Sequence, residues 1–317
     1  MDMFIQKGIQ IVNIYSKSDI PKNILSYFEP VEIGLEQTPQ EYIEKLVCVF
    51  KEVKRVLKDN GTMWIVIGDS YAGSGKGAAI NSENAKKYLQ GTNHGMLGQS
   101  AVTRVGWGDC KRKDLIGVPW MLAFALRDDG WYLRQDIIYS KRNAMPESVK
   151  DRCTKSHEYI FLLSKSPKYY FDAASISEPV ADSTIKKINK NIEKQKDLEA
   201  PRYGGKKYTE NPDVFYRTKS GNAYVYKPKR NKRSVWHVST KPLKEAHFAT
   251  FSPELILPCI LAGCPEGGVV LDPFAGSGTT GMVANENGRN FIGIELNPDY
   301  AEIMKRRIPN LIVDYKI

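Results

Sequence analysis

Apolar residues follow a helical period from residue 38 to residue 57 and a strand pattern directly after it. The helix begins with Thr38-Pro39-Gln40-Glu41, in which Thr can cap the helix, Pro suits the first helical position and Glu follows three residues after the cap. Asn60-Gly61 ends the helix, and the apolar run from Thr62 to Ile67 predicts a strand.

The alternation of helices and strands continues along the chain. Polar, glycine-rich residues 72–113 predict a long mobile loop. Helices are predicted over 119–128, 253–261 and 279–287, and strands over 131–139, 157–164, 269–271 and 291–294. Helices interleaved with apolar, β-branched strands indicate an α/β fold, with a mostly parallel twisted sheet and helices on both faces.

Composition narrows the class of protein. A hydrophobic content of 42% over 317 residues can supply a sizeable core. No apolar run approaches the roughly 18 residues that span a bilayer, and the N-terminal residues do not resemble a secretory signal. The five cysteines are scattered and contain no CxxC pair, which argues against a zinc ribbon or disulfide framework. We therefore expect a cytoplasmic protein without a metal site and without a membrane partner.

The net charge of +10 is concentrated in one segment. Residues 186–233 hold 15 Lys and Arg against 5 Asp and Glu, whereas the rest of the chain holds 31 of each sign. A localised basic block is typical of a surface that binds a polyanion. A solvated loop would carry the same composition, so charge alone leaves both interpretations open.

A glycine-rich turn follows the strand at 269–271. The chain runs through Asp272-Pro273-Phe274-Ala275-Gly276-Ser277-Gly278 into a helix at Thr279, an arrangement that lets a ligand approach the backbone. Neither GxGxxG nor GxxxxGK[ST] is present. Glu295, at the end of the next strand, suits the hydroxyl groups of an adenosine ribose. A simple tight turn is the alternative, but the run Glu295-Leu296-Asn297-Pro298 argues against it.

These motifs resemble those of DNA amino-methyltransferases, the N4-cytosine and N6-adenine enzymes of bacteria and phages. The resemblance is carried by Leu-Asp-Pro-Phe-Ala-Gly-Ser-Gly-Thr-Thr from Leu271 and by Ile-Glu-Leu-Asn-Pro from Ile294. The segment from His247 to Ile256 is similar to the one that closes over the methionine end of the cofactor, although the family more often has Pro where Ser252 stands. The match covers most of 33–180 and 236–308, in the permuted order of the beta class.

The resemblance implies a Rossmann-like methyltransferase fold with S-adenosylmethionine as cofactor. The implied cofactor-binding residues are Asp272, Pro273, Phe274, Ala275, Gly276, Ser277, Gly278, Thr279, Glu295, Asn297, His247, Ala249, Phe251 and Asp69. For Asp69, a role in forming a turn is the alternative.

The resemblance also implies an order of segments and a set of partners. Residues 1–180 form the catalytic half, 181–235 a basic target-recognition insertion and 236–317 the cofactor-binding half. Double-stranded DNA is then expected to contact about 186–233. Family members often form dimers, which allows a homodimer or a pairing with another methyltransferase subunit. Such enzymes commonly serve restriction–modification.

The expected catalytic tetrapeptide, Asp/Asn/Ser-Pro-Pro followed by an aromatic residue, is degenerate here. The aligned position reads Ser18-Asp19-Ile20-Pro21, and no Pro-Pro-aromatic run occurs elsewhere. Ser18 and Asp19 are the candidate catalytic residues, since either can accept a hydrogen of the target amine. One hypothesis is an active enzyme that methylates N4 of cytosine in preference to N6 of adenine. The alternative is a catalytically impaired protein that keeps cofactor or DNA binding.

Four further residues lie near the predicted strands. Lys141, Arg142 and Asn143 follow the strand at 131–139, where they can contact DNA phosphate or form a solvated loop. His157 has no HxxxH or cysteine partner, so a packing or substrate-pocket role is favoured over a metal site.

Overall fold

The structure is a computed structural model, and it describes part of the 317-residue chain. Backbone and side chains are described for 33–34, 36, 38–72, 109–111, 113–183, 185–186, 229–240 and 251–313, and the backbone alone for 11–14, 215–217, 223–225 and 314–315. The chain divides into two compact units, Met1–Phe171 with Ser234–Ile317, and Asp172–Arg233. Most of the predicted loop at 72–113, with residues 73–108 and 112, lies outside the described residues.

The larger unit contains two four-stranded sheets. The first has the order β10-β11-β1-β12, and all its neighbours run parallel. Its strands are β1 (Ile11–Ile14), β10 (Val269–Asp272), β11 (Asn290–Ile294) and β12 (Ile312–Tyr315). The second has the order β2-β4-β3-β9, in which β4 runs antiparallel to β2 and β3, whereas β3 and β9 are parallel. Its strands are β2 (Thr62–Ile67), β3 (Tyr132–Lys141), β4 (His157–Ser164) and β9 (Val235–Val238).

Helices cover both faces of the second sheet, as strand β2 shows. Successive side chains of a strand point to opposite faces. Met63 and Ile65 belong to a core formed with α1 (Pro39–Val56) and α2 (Val118–Asp128). Trp64 and Val66 pack against the other core, which contains α3 (Pro253–Gly263), α4 (Thr279–Glu286) and α5 (Pro298–Arg307). The prediction of helices on both faces is therefore confirmed.

Local signals in the sequence are confirmed at the helix starts. The Thr38 hydroxyl accepts a hydrogen bond from the backbone N–H of Glu41 at 3.2 Å, and Pro39 begins α1. Strands β2 and β4 have the predicted bounds, and the other predicted helices and strands are shifted by no more than two residues at either end. The exception is α1, which ends at Val56 rather than at Asn60 because Leu57 adopts an extended conformation.

The smaller unit, Asp172–Arg233, contains two short antiparallel strand pairs among its described residues. Strand β5 (Glu178–Pro179) pairs with β8 (Lys229–Arg230), and β6 (Phe215–Arg217) pairs with β7 (Ala223–Val225). Across the described residues of both units, no helix combines the length and the apolar character that a membrane crossing requires. The same residues contain no group of three or more His, Cys, Asp or Glu side chains that could hold a metal ion.

Candidate active site

The glycine-rich turn joins the end of β10 to the start of α4. Gly276 and Gly278 both adopt left-handed backbone conformations, with φ of +52° and +79°. A Cβ atom at Gly278 would lie 2.4 Å from the Met304 side chain, so close packing against α5 also requires glycine there. At Gly276, by contrast, a Cβ atom would meet nothing nearer than the Phe274 carbonyl oxygen at 4.0 Å. The backbone of Gly276 therefore faces open space.

Asp272, the first residue of the turn, stabilises it through side-chain hydrogen bonds. Its carboxylate accepts hydrogen bonds from the Thr280 hydroxyl at 2.6 Å and from the Phe274 N–H at 3.0 Å. Burial raises the pKa of the Asp272 carboxyl, and these two hydrogen bonds oppose that rise. The side chain thus ties the beginning of the turn to the first turn of α4.

Glu295 lies beside the turn, at the end of β11. Its two carboxylate oxygens accept hydrogen bonds from the N–H of Gly276 at 2.7 Å and from the N–H of Asn297 at 2.8 Å. A carboxylate has about four acceptor positions, so these bonds orient the group and leave capacity for a ligand that donates two hydroxyl groups. A ribose is such a ligand.

Arg307, at the end of α5, supports the turn through hydrogen bonds. The sequence did not predict this role. The Arg307 guanidinium donates to the Ser277 carbonyl at 2.6 Å, to the Ser277 hydroxyl at 2.9 Å and to the Thr279 hydroxyl at 3.3 Å. No sequence signal separates Arg307 from its neighbours Lys305 and Arg306, because all three occupy the last turn of one helix.

The predicted cofactor residues of the turn fall into two groups, buried residues that support its shape and exposed groups that a ligand can reach. Ala275, Ser277 and Thr279 are buried. Phe274 is 48% exposed, and its ring meets Phe50 edge to face with centroids 6.3 Å apart. An exposed aromatic ring, a bare glycine backbone and an oriented carboxylate therefore occur together, and this set of groups fits the adenosine part of S-adenosylmethionine.

The remaining predicted residues have different positions. The Asn297 side chain accepts from the N–H of Asp299 at 2.9 Å and so caps α5. Phe251 is partly buried against the core that contains α3. His247 and Ala249, like the candidate catalytic residues Ser18 and Asp19, lie outside the described residues. The roles of all these residues stay predictions.

Asp69 lies just after the carboxyl end of β2. Its carboxylate accepts from the N–H groups of Gly117 at 3.0 Å and Val118 at 3.2 Å. Gly117 is the N-cap of α2 and has no side chain of its own to satisfy these donors. Asp69 therefore caps α2 from a distant point in the sequence, and its contribution to the cofactor pocket stays a prediction.

The residues flanking β3 and β4 are mostly engaged within the protein. Lys141 forms an ion pair with Glu158, and the Asn143 side chain exchanges two hydrogen bonds with the backbone of Thr240. The His157 ring packs edge to face on Tyr159 with centroids 5.5 Å apart, in agreement with the packing role.

Comparison with known proteins settles the family. The family model described as DNA methylase matches residues 27–306. The chain belongs to the DNA methylase family. The type II methyltransferase M.Cfr9I of Citrobacter freundii is 42% identical over 281 residues, which cover 87% of this chain and 74% of that protein. The type II methyltransferase M.SmaI of Serratia marcescens is likewise 42% identical over 281 residues, covering 87% of this chain and 77% of that protein.

A solved structure supports the fold of this DNA methylase. The PvuII DNA methyltransferase (cytosine-N4-specific) superposes with a TM-score of 0.54 at 16% identity, covering 96% of this chain and 80% of that chain. The predicted family, the Rossmann-like methyltransferase fold and the class of enzyme, an S-adenosylmethionine-dependent DNA methyltransferase, are therefore confirmed. The family match begins at residue 27 and so does not include Ser18 or Asp19.

Proposed function

We propose that this DNA methylase transfers a methyl group from S-adenosylmethionine to an exocyclic amine of a DNA base, at N4 of cytosine in preference to N6 of adenine. The observation that carries the proposal is the turn between β10 and α4, where Glu295 is oriented by two backbone N–H groups beside the open backbone of Gly276. The preference for cytosine rests on the serine at the aligned catalytic position, Ser18.

The described residues suggest how the cofactor is held. Glu295 accepts hydrogen bonds from the ribose hydroxyls, Phe274 offers its exposed ring to the adenine, and Gly276 lets the ligand approach the backbone. Asp272, Ser277 and Thr279 act through the shape of the turn, because their side chains contact Thr280 or Arg307. His247, Ala249 and Phe251 cover the methionine end. S-adenosylmethionine supplies the electrophilic methyl group.

Methylation of the acceptor amine depends more on how the protein positions the base than on acid–base catalysis. The lone pair of the amine is delocalised into the ring, so the protein has to flip the base out of the stack and hold the nitrogen in line with the methyl group. Ser18 and Asp19 are the residues that we expect to accept a hydrogen of the amine.

DNA is contacted, on this proposal, through the basic segment 186–233. Within the smaller unit, the single carboxylate of Glu178 is approached by three cations, Arg230 at 3.6 Å, Lys232 at 3.5 Å and Arg233 at 3.6 Å. The segment 186–233 as a whole holds 15 Lys and Arg against 5 Asp and Glu, so it carries a positive field. This field supports the assignment of 181–235 as the target-recognition insertion between a catalytic half, 1–180, and a cofactor half, 236–317.

Two relatives indicate the biological setting. M.Cfr9I and M.SmaI are type II methyltransferases, so we place this chain as the modification enzyme of a restriction–modification system. We also propose that it can form a homodimer or pair with another methyltransferase subunit.

The proposal is tested by measuring cofactor binding and methyl transfer in parallel. Wild-type protein is expected to bind S-adenosylmethionine and to transfer labelled methyl groups to unmethylated DNA. Glu295→Ala removes the acceptor of two ribose hydroxyls. Since a hydrogen bond to a charged group contributes about 1.5–3 kcal/mol, we expect cofactor affinity to fall by about 100-fold or more.

Glu286→Ala is the matched control, because Glu286 is an exposed glutamate at the end of α4. It should leave binding unchanged. Unaltered affinity in Glu295→Ala would contradict the cofactor site. Wild-type protein that binds the cofactor and DNA without any transfer would instead favour the catalytically impaired methyltransferase-like protein.

A further inference from the structure

One edge of the second sheet gathers charged side chains around a single aromatic ring. Strands β2, β3 and β9 run in one direction and β4 runs in the other, so the ends of the first three lie beside the start of β4. At this edge lies a group of side chains that we call the Tyr71 cluster, namely Asp69, Tyr71, Glu147, Arg152 and Lys155 from the loops and Glu158 from β4.

Each carboxylate of the Tyr71 cluster has partners of its own. Asp69 accepts from backbone N–H groups at the start of α2. Glu147 pairs with the Arg152 guanidinium, and Glu158 pairs with Lys141 at the end of β3. None of these hydrogen bonds and ion pairs involves Lys155.

Lys155 is the exception in the Tyr71 cluster. Its Nζ atom is buried, and among the described residues it has no hydrogen-bond partner. The ammonium lies 5.9 Å from the centroid of the Tyr71 ring, which also has the Arg152 guanidinium 3.9 Å from its centroid. Loss of hydration lowers the pKa of Lys155, while the charges of Asp69 and Glu158 act to raise it.

A buried ammonium without an acceptor is costly, because its three N–H groups lose their water. Lysine does persist at such positions where a bound molecule supplies the acceptor, since binding then recovers the missing hydrogen bond. The place of Lys155 in the fold indicates which molecule that is. Lys155 lies just before the start of β4, beside the carboxyl ends of β2 and β3, and the carboxyl ends of strands are where ligands bind to open α/β sheets.

We propose that Lys155 is a substrate-binding residue that donates a hydrogen bond to a ring nitrogen or carbonyl oxygen of the flipped target base. The contact would hold the base while its exocyclic amine faces the methyl group. The inference rests on the proposed function, because only an enzyme that takes a base out of the duplex has a use for this contact.

The charge of the surroundings favours a base over a backbone phosphate. Asp69, Glu147 and Glu158 balance Lys141, Arg152 and Lys155, so the Tyr71 cluster with Lys141 is neutral overall. A phosphate site requires a surplus of positive charge, whereas a neutral pocket with one desolvated donor suits an uncharged acceptor atom.

The test uses the full chain and a duplex that contains the site which the protein methylates, identified from methylated genomic DNA. Two forms of the duplex are compared by fluorescence anisotropy, one with the target base intact and one abasic at that position. Lys155→Met is expected to bind the intact duplex about 10- to 100-fold more weakly than wild type does, the effect of losing a hydrogen bond from a charged donor. It should bind the abasic duplex as wild type does.

Lys150→Met is the matched control, since Lys150 is an exposed lysine in the same loop. It should leave both affinities unchanged. Equal losses on the two duplexes would mean a phosphate contact and would overturn the inference, as would an unchanged affinity for the intact duplex. The melting temperature of Lys155→Met should not fall; a large drop would assign Lys155 a structural role instead. Wild-type protein that binds neither duplex and transfers no methyl group would remove the proposed function together with this inference.

Discussion

Asp272, the first residue of the turn after β10, supports the backbone of the turn and is also a buried ionisable group. Asp272 receives hydrogen bonds from Thr280 and Phe274, yet its burial raises the pKa of the carboxyl. A raised pKa means that the folded protein holds the proton more tightly than the unfolded chain does. The ionised form of Asp272 therefore opposes folding, even though its hydrogen bonds shape the cofactor turn.

The Asp272→Asn variant should show this opposition as a pH dependence of stability. Between the ordinary pKa of 3.8 and the raised value, the folded wild type binds more protons, so its stability falls as pH rises through that window. Asparagine cannot ionise. We expect the melting temperature of the variant, relative to wild type, to improve from below pH 4 to neutral pH.

Differential scanning fluorimetry across this range provides the measurement. Asp182→Asn, a change at an exposed aspartate, should show no such trend. A difference between Asp272→Asn and wild type that stays constant with pH would contradict the raised pKa.

Among the elements, α5 has a second function beyond covering the first sheet. Its last turn directs Arg307 into the loop between β10 and α4, and Met304 of the same helix lies where a Cβ atom at Gly278 would be. Its N-terminus is capped by Asn297, two residues after Glu295. One helix therefore connects Glu295, the proposed acceptor of the ribose hydroxyls, with the turn that is proposed to hold the cofactor.

The Arg307→Met variant should show how much the hydrogen bonds of Arg307 support the turn, because methionine keeps an apolar side chain at this position but donates no hydrogen bond. It removes a charged donor from the Ser277 carbonyl and from the Ser277 and Thr279 hydroxyls, so we expect a loss of stability of about 1–3 kcal/mol. Cofactor affinity should fall as well, because the turn loses its support. Calorimetric titration with S-adenosylmethionine measures this effect.

Arg306→Met supplies the comparison, since Arg306 is the exposed preceding residue of the same helix. Equal cofactor affinity in the two variants would show that Arg307 does not support the turn.

At the scale of the whole molecule, the two units differ in charge. The excess of basic residues lies in 186–233, while the remainder of the chain has as many acidic as basic residues. Binding to DNA releases counterions in proportion to the phosphates that are neutralised, so the salt dependence of affinity counts the contacts.

Replacing Lys229 and Arg233 by Gln should therefore flatten the salt dependence of DNA binding. Both residues belong to the basic segment, and the Arg233 side chain is 71% exposed. If each contacts one phosphate, the slope of log K against log salt should decrease in magnitude by about 1.8, or roughly 0.9 per charge. Anisotropy titrations at several salt concentrations measure the slope.

The control is the double variant Lys58→Gln, Arg306→Gln in the larger unit. It removes the same amount of charge, and both residues are exposed. A slope that changes equally in both pairs would contradict the assignment of DNA binding to the basic segment.

The sequence by itself determined the features that depend on residues close together in the chain. Thr38 and Glu41 predict a helix start because a capping bond spans three residues, and the run from Asp272 to Thr279 predicts a strand, turn and helix for the same reason. The resemblance of the motifs then identified the family and the cofactor. Ser18 and Asp19 stay a prediction.

Only the tertiary structure decided the contacts between distant residues. Arg307 meets Ser277 thirty positions away, Asp69 caps a helix that begins nearly fifty positions later, and Lys155 lies over Tyr71 from another loop. No periodicity or spacing predicts such contacts, because they depend on how strands pair and on which side chains burial brings together. The turn between β10 and α4 is therefore predictable from the sequence, because local interactions form it. Its support by Arg307 and the proposed site for the target base depend on the packing of the whole unit.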